Sequence, residues 1–284
     1  MVALEVQELG PVGAEVKGYD PAALDETIEE LRGYFDRYGV LVFRDLELTH
    51  GEQVELTMRL VGKEAGPDGT FEGGPDADRW YVSNEREGGA APFGRLQFHS
   101  DMMWSDEPCA GLSLYAVDVE QPSVPTTFVS ARRAWATLPD DLRARVEHLD
   151  VVHSAGDIRR GDVADVLVSN VEHPPSTTKP LGWTHPRTGE PLLFACEQMT
   201  DALVGMPREE SEALLVELFE HLYDPSNRVS HQWRDRDLVV WDNLAMQHAR
   251  PNVQADGPRR TLRKVATSTP SLSKDQQPRH VPVG

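Results

Sequence analysis

The stretch LQFHSDMMW, residues 96–104, is where the sequence changes from helical to strand-like patterning. His99 and Asp101 are separated by one residue, and in an extended segment this spacing directs both side chains to the same face. Beyond it, short apolar runs bounded by Gly, Pro, Asp and Ser predict strands. These runs are 111–120, 126–129, 191–196 and 238–241. Many short strands with few helices predict a mainly β fold, a closed barrel or two packed sheets.

Helices are predicted on both sides of residues 96–104 and would flank the strands. Residues 24–38 carry apolar side chains on one helical face, and the pattern ends at Gly39. The run GVLVF that begins there predicts a buried strand. The remaining predicted helices are 50–63, 131–149 (in two parts, broken at Pro139) and 207–223.

Composition favours one large domain, residues 1–284, that acts on a small molecule in the cytoplasm. The net charge is −19, from 47 acidic and 28 basic side chains, and such a surface repels phosphate backbones and anionic lipid. We therefore expect neither nucleic acid nor a membrane as a partner, and no run approaches the roughly 18 apolar residues of a membrane span. The N-terminus has no basic, apolar signal pattern. The two cysteines, Cys109 and Cys196, have no metal-type spacing, which fits a reducing compartment.

Two segments have loop composition. Residues 64–95 are rich in Gly, Pro, Asp and Glu and predict a long loop or lid, with a short ordered piece at Trp80-Tyr81-Val82. Residues 270–284 predict a frayed tail.

His99 and Asp101, together with the distant His248, are candidates for a metal site. Two imidazoles and one carboxylate form the ligand face that suits Fe(II) and leaves adjacent positions open. His248 follows a predicted buried strand and a turn, a position where a lone histidine is often structural. A second histidine–X–aspartate motif, His148 to Asp150, ends the amphipathic run LRARVEHLD, and we expect it on a solvated helical face without a metal.

The cationic cluster RRTLRK, residues 259–264, leads into an apolar strand. In so acidic a protein, an arginine that points inward from this strand could clamp a carboxylate with two parallel hydrogen bonds. A solvated strand edge is the alternative.

Taken together, these pieces resemble the TauD/TfdA family of 2-oxoglutarate-dependent dioxygenases. The resemblance covers roughly residues 24–267, and the order of the motifs carries it. The motifs are YGVLVFRDLELTHGEQVEL at 38–56, HSD at 99–101, THPRTGEPLLF at 184–194, WRDRDLVVWDNLAMQH at 233–248 and RRTLRKV at 259–265. We interpret Thr184-His185-Pro186 as a structural turn and leave His185 out of the catalytic set.

The resemblance implies a double-stranded β-helix (a jelly roll, cupin-like) with helices packed outside. It also implies that His99, Asp101 and His248 bind Fe(II), and that 2-oxoglutarate and O₂ are co-substrates. Thr126 and Arg260 match the positions that hold the distal carboxylate of 2-oxoglutarate. One extra residue after His248 leaves Arg259 and Arg263 eligible for the same role.

The chain departs from the family pattern at several positions. Phe98 replaces the usual Trp before the first histidine, and Val124-Pro125 replaces a Gly-Gly pair, so that Thr127 could stand in for Thr126. Lys264 stands where taurine-type members have a sulfonate-binding arginine, and sulfonate recognition is not expected. The candidates that we expect to line the substrate pocket are Trp80, Tyr81, Asn84, Met102, Met103, Trp104 and Arg250.

The sequence leaves the reaction outcome open. Hydroxylation of an aliphatic C–H bond is the leading hypothesis, with a natural-product tailoring step in secondary metabolism as one setting. Desaturation, ring formation or another oxidation with the same cofactors is the alternative. A non-catalytic binding protein and a zinc hydrolase of the same fold are the rivals from other classes, and a homo-oligomer is left open.

Overall fold

The computed structural model describes residues 3–64, 80–155, 168–170, 174–268 and 279–281. The helices are α1 Leu24–Tyr38, α2 His50–Leu60, α3 Ala131–Ala136, α4 Asp140–Val146 and α5 Arg208–Leu222. The first strands are β1 Glu5–Glu8, β2 Ala14–Lys17, β3 Val40–Phe43, β4 Tyr81–Ser83, β5 Gly94–His99, β6 Gly111–Val119, β7 Thr126–Ser130, β8 Asp150–Ser154 and β9 Val168–Asn170. The later strands are β10 Ser176–Pro180, β11 Gly182–Thr184, β12 Pro191–Leu193, β13 Thr200–Leu203, β14 Arg228–His231, β15 Leu238–Asp242, β16 Met246–Val253, β17 Arg260–Ala266 and β18 Arg279–Val281.

Two sheets face one another and form the jelly roll that the sequence predicts. One has seven strands in the order β1-β2-β3-β15-β6-β17-β4, and the other has four in the order β14-β7-β16-β5. Side chains of both sheets meet in one buried cluster, in which Phe128 of the smaller sheet lies 5.4 Å, ring to ring, from Trp241 of the larger. The mainly β architecture is thereby confirmed.

Helices α1 and α2 cover the outer face of the seven-stranded sheet. Strand side chains alternate between faces, so Val40 and Val42 of β3 point between the sheets while Leu41 and Phe43 point to the helices. Helix α1 ends at Gly39, whose φ of +74° is the left-handed C-cap conformation that glycine adopts without penalty. Helix α2 begins with a capping box between Thr49 and Glu52.

The second helical layer covers the outer face of the four-stranded sheet. Phe128 of β7 points between the sheets, and its neighbour Val129 packs outward against α3, α4 and α5. Strands β8, β10 and β13 form a small separate sheet beside these helices. The interior between the two large sheets is therefore enclosed on both sides, and strands β5, β7, β16 and β17 carry their inward side chains into it.

Predicted and observed elements agree closely in type and differ at their ends. Helix α2 ends at Leu60 rather than at residue 63, and the helix predicted to reach residue 149 ends at Val146. Asp150 is therefore the first residue of strand β8 and not part of a helical face. The strand predicted for 191–196 ends at Leu193.

Parts of the predicted lid and tail lie outside the described residues. Within 64–95, Tyr81–Ser83 is a strand, and β5 begins at Gly94, whereas residues 65–79 are not described. Within the predicted tail, Arg279–Val281 pairs with Val168–Asn170. The lid and the single catalytic domain stay predictions. No helix in the part of the chain that the structure describes has both the length and the apolar composition needed to cross a bilayer.

Candidate active site

The register of two neighbouring strands brings His99 and His248 together. His99 is the last residue of β5 and lies opposite His248 of the antiparallel strand β16, with 4.1 Å between the ring centroids. Asp101 follows in the turn after β5. Its main chain is held by Asn243, whose Oδ1 accepts from the Asp101 N–H at 3.1 Å and whose Nδ2 donates to the Asp101 carbonyl at 2.9 Å.

The three side chains form a metal-ligating constellation. Asp101 Oδ1 lies 3.2 Å from His99 Nε2 and 3.8 Å from His248 Nε2, and one ligand atom from each residue lies within 4.8 Å of the others. Among the described residues this is the only such group of three. Two imidazole nitrogens and one carboxylate oxygen on one face fit Fe(II) and leave coordination sites free.

The protonation of both histidines suits metal binding. His99 Nδ1 lies 2.8 Å from the carbonyl of Gln97, which can only accept, so Nδ1 carries the proton and Nε2 presents its lone pair. Burial, and after it the neighbouring His99, lower the pKa of His248 well below its usual value. His248 is therefore neutral, as a ligand must be.

Lys264 fixes the charge and the orientation of Asp101. Its ammonium donates to Oδ2 of Asp101, which leaves Oδ1 on the side of the two imidazoles. Burial alone would raise the pKa of Asp101, but the ammonium of Lys264 outweighs it and holds that pKa well below the usual value. The carboxylate is therefore ionised and presents one oxygen to a metal.

A cationic pocket lies on the same interior face. Arg260, only 3% exposed, places Nη2 3.4 Å from Thr126 Oγ1 and Nε 3.4 Å from the Val124 carbonyl. Trp233 Nε1 donates to the same Thr126 oxygen at 3.0 Å, and the Arg260 guanidinium lies 6.0 Å from the Trp233 ring centroid. Since Trp233 donates to Thr126, the hydroxyl proton of Thr126 is available for an incoming anion.

The two neighbouring arginines are directed elsewhere. Arg259 is exposed and forms ion pairs with Asp118 at 3.1 Å and Glu120 at 3.3 Å. Arg263 points toward helix α2, where it donates to Gln53 Oε1 at 2.7 Å and to the Leu48 carbonyl at 3.0 Å. Of the three arginines that the sequence leaves eligible, Arg260 is the one that reaches Thr126. Thr127, the alternative to Thr126, bonds Ser230 at the surface.

The substrate candidates fall into two sets. Met102, Met103 and Trp104 continue the turn that carries Asp101, with Met103 buried against Phe194, Cys196 and Met199. Arg250 is buried two residues after His248.

The second set belongs to the structural framework. Trp80 packs with Val54 and Val265 on the side of the sheet that faces helix α2. The guanidinium carbon of Arg86 lies 3.6 Å from the ring centroid of Tyr81. Asn84 accepts from the Arg260 N–H at 2.9 Å and donates to the Pro258 carbonyl at 3.0 Å, so it anchors the start of β17.

The other two histidine motifs have no part in this site. His148 and Asp150 are both exposed. His185 is buried with Nε2 3.1 Å from Asp242, while its Nδ1 accepts from the Arg187 and Thr188 N–H groups, as expected for a structural turn.

Three residues of the site carried no functional assignment from sequence: Asn243, Trp233 and Lys264. Asn243 and Trp233 lie within the motif at 233–248, which is the signal that could have found them. Lys264 belongs to the cationic cluster and stands at the position of the sulfonate-binding arginine of taurine-type members, but its contact with Asp101 depends on the pairing of β17 with β6.

Comparison with known proteins adds an independent finding. The family model described as "Taurine catabolism dioxygenase TauD, TfdA family" matches residues 5–266. An (S)-phenoxypropionate/alpha-ketoglutarate-dioxygenase of Sphingobium herbicidovorans is 28% identical over 83% of this chain and 85% of its own length. Pentalenolactone F synthase of Streptomyces avermitilis is 27% identical over 90% of each chain. A crystal structure of a taurine dioxygenase from Burkholderia xenovorans superimposes with a TM-score of 0.74 at 25% identity, covering 97% of this chain and 94% of that one.

Proposed function

The chain belongs to the TauD/TfdA family of 2-oxoglutarate-dependent dioxygenases, and from that premise we propose that it uses Fe(II), 2-oxoglutarate and O₂ to hydroxylate an aliphatic C–H bond of a small organic molecule. The observation that carries the proposal is one barrel interior that holds both the His99–Asp101–His248 constellation and the Thr126–Arg260 pocket.

Each residue has a distinct task in the proposed reaction. His99, Asp101 and His248 would hold the iron, and Lys264 would keep Asp101 bound through one oxygen, so that the remaining positions stay open. Arg260 and Thr126 would bind the distal carboxylate of 2-oxoglutarate and set its orientation. The bound iron would supply the activation of O₂, and the protein's contribution is position, charge and exclusion of water.

The substrate pocket supports a molecule with a sizeable apolar body. Met102 and Trp104 are half-buried in the segment that follows Asp101, and thioether and aromatic side chains suit such a substrate. Two relatives are named for different compounds, one for (S)-phenoxypropionate and the other for pentalenolactone F. We place this chain with natural-product tailoring in secondary metabolism, in the cytoplasm, without nucleic acid or membrane as a partner.

A different oxidation with the same cofactors, such as desaturation or ring formation, is the alternative outcome. One relative is named a synthase, Pentalenolactone F synthase, and this name supports the alternative outcome. A zinc hydrolase would have no use for the Thr126–Arg260 pocket, and a non-catalytic binder would have no need of three metal ligands.

Anaerobic titration of the apo-protein with Fe(II) and then 2-oxoglutarate tests the proposal. Chelation of a 2-oxo acid to Fe(II) gives a weak visible charge-transfer band. We expect the band in the wild type and in His148→Ala, and its absence in His99→Ala. A wild type that binds Fe(II) but gives no band with 2-oxoglutarate would refute the co-substrate, and O₂ uptake would then decide between oxygenase and hydrolase.

A further inference from the structure

Arg250 is a buried cation whose charge the protein itself does not balance. It is 4% exposed, and its guanidinium donates to the carbonyls of Phe93, at 2.9 Å, and Gly94, at 3.1 Å. No carboxylate within ion-pair distance of it occurs among the described residues. Burying a guanidinium against carbonyls alone is costly, and in a chain with 47 acidic side chains a carboxylate partner would be easy to supply. The missing charge points to an anion that binds there.

Strand register places Arg250 beside the pocket already described. In the β16–β7 pair, His248 lies opposite Phe128 and Ala249 opposite Thr127. Arg250 and Thr126 are the next residues of the two strands. Because side chains alternate, Arg250 shares its face with His248, and Thr126 shares its face with Phe128. The ring centroids of Phe128 and His248 lie 6.4 Å apart, so these two residues lie on the same face of the sheet. Arg250 and Thr126 therefore lie on that face too.

Arg260 approaches the same point from the opposite sheet. Its Nη2 lies 3.4 Å from Thr126 Oγ1, and it too has no carboxylate partner among the described residues. Burial, and after it repulsion from Arg250, lower the pKa of Arg260 well below its usual value. A second guanidinium, close enough to repel that of Arg260, therefore lies on the interior face that carries Thr126, and an anion between the two would stabilise this arrangement.

The spacing of Arg250 and His248 along β16 is of the same order as the length of the co-substrate. Arg250 lies two strand residues from His248, which is about 7 Å along an extended chain. A five-carbon dicarboxylate whose 2-oxo end is at the metal places its distal carboxylate at a comparable distance.

We propose that Arg250 is a second guanidinium for the distal carboxylate of 2-oxoglutarate, acting with Arg260 and Thr126; this inference rests on the proposed function. The site would then discriminate between 2-oxo acids by the charge of their far end. It assigns Arg250 to the co-substrate and removes it from the set that contacts the primary substrate.

Binding measurements with two 2-oxo acids test the assignment. The Mn(II)-loaded protein is titrated without O₂, by calorimetry, with 2-oxoglutarate and with 2-oxopentanoate, which has the same chain length but no distal carboxylate. We expect Arg250→Met to raise the Kd of 2-oxoglutarate at least about 10-fold and to leave the Kd of 2-oxopentanoate within 2-fold. Arg259→Met, one residue from Arg260 but paired at the surface, is the matched control and should change neither value.

Other outcomes decide against the assignment. If Arg250→Met raises the Kd of both 2-oxo acids equally, Arg250 only supports the strand. If it changes neither Kd, the guanidinium binds another ligand. Should Arg250→Met not fold, Arg250→Lys keeps the charge but loses the planar fork, and we expect a 3- to 10-fold rise in Kd for 2-oxoglutarate alone. A wild type that binds the two acids equally would instead refute the Thr126–Arg260 pocket of the proposed function.

Discussion

The two histidine–X–aspartate motifs of this chain have the same spacing, but they differ in burial and in the residues around them. His99 ends strand β5 inside the jelly roll, Asp101 lies in the turn that follows, and His248 of the neighbouring strand completes the constellation. His148 and Asp150 bracket a helix-to-strand turn and are exposed to solvent. The difference teaches that the motif supplies only the relative position of two ligand types. A third ligand and burial, both provided by the fold, make it a site.

The same contrast between interior and surface separates other residues of one type. Arg260 lies beside Thr126 inside the barrel, while Arg259 lies one position earlier and pairs with surface acids. His153 is fully buried in the small sheet, whereas His148 is exposed. Each pair offers a substitution and its matched control.

Loss of His99 should have the largest effect. We expect His99→Ala to abolish 2-oxoglutarate turnover, a fall of more than about 1000-fold, since loss of a residue that merely supports a ligand already costs 10–100-fold. His148→Ala should retain wild-type turnover. Metal content after dialysis and succinate formation are the measurements. A comparable loss of turnover in both variants would show that the two motifs do not differ in function.

The arginine pair should give the next largest difference. Arg260→Met removes the guanidinium beside Thr126, and we expect the Kd of 2-oxoglutarate to rise about 100-fold, within the range for truncating one member of a buried charged contact. The control Arg259→Met loses only exposed ion pairs, which contribute little. Calorimetry on the anaerobic, Mn(II)-loaded protein measures both. Equal Kd values in the two variants would refute the role of Arg260.

His153 should make the protein sensitive to acid. Burial lowers the pKa of His153 from 6.5 to about 3, so between these values the unfolded chain binds a proton that the folded chain does not. Its contribution to stability is therefore full above pH 6.5 and is lost progressively on acidification toward pH 3. From pH 7 to pH 5 the loss is about 2 kcal/mol.

Urea unfolding at several pH values measures this loss. His153→Gln should flatten the dependence of the free energy of unfolding between pH 7 and pH 5, whereas His148→Gln should leave it unchanged. An unaltered slope in His153→Gln would show that other groups cause the acid sensitivity.

The smallest effect is expected for Trp233. Trp233→Phe keeps most of the ring but removes the N–H that donates to Thr126, a loss of about 1 kcal/mol, or roughly 5-fold in the Kd of 2-oxoglutarate. The Kd of 2-oxopentanoate should not change, which separates positioning of Thr126 from general damage. Trp135→Phe, under the outer helices, is the control. An unchanged Kd for 2-oxoglutarate would remove Trp233 from the pocket.

Local patterning predicted most of the elements because it reflects local physics. The apolar spacing in residues 24–38 and the terminal Gly39 fixed helix α1 to the residue, since a helix closes its hydrogen bonds within four positions. Other helix ends were less accurate. No glycine closely follows Val146, where α4 ends before the predicted residue 149. Gly62, with a φ of +75°, does follow the end of α2, and the predicted end at residue 63 passed over this signal.

The functional candidates divide in the same way. Spacing gave two histidine–X–aspartate motifs, and the extended segment around His99 favoured the first over the second. The order of motifs along the chain indicated His248, Thr126 and the arginine cluster. The sequence could not choose among Arg259, Arg260 and Arg263, because the choice depends on where β17 begins and on which of its faces turns inward, and the pairing of β17 with β6 sets both.

The sequence by itself determined the kinds of ligand, their order and the strands and helices that carry them, since these follow from residue type and periodicity within a few positions. The tertiary structure alone decided that Lys264 meets Asp101 and that Trp233 meets Thr126. Strand pairing likewise puts Arg250 on the interior face that carries Thr126. Each of these pairs joins residues more than 100 positions apart. They are set by cross-strand register and by the packing of one sheet on the other, and a one-residue slip in register would turn each of these side chains to the opposite face.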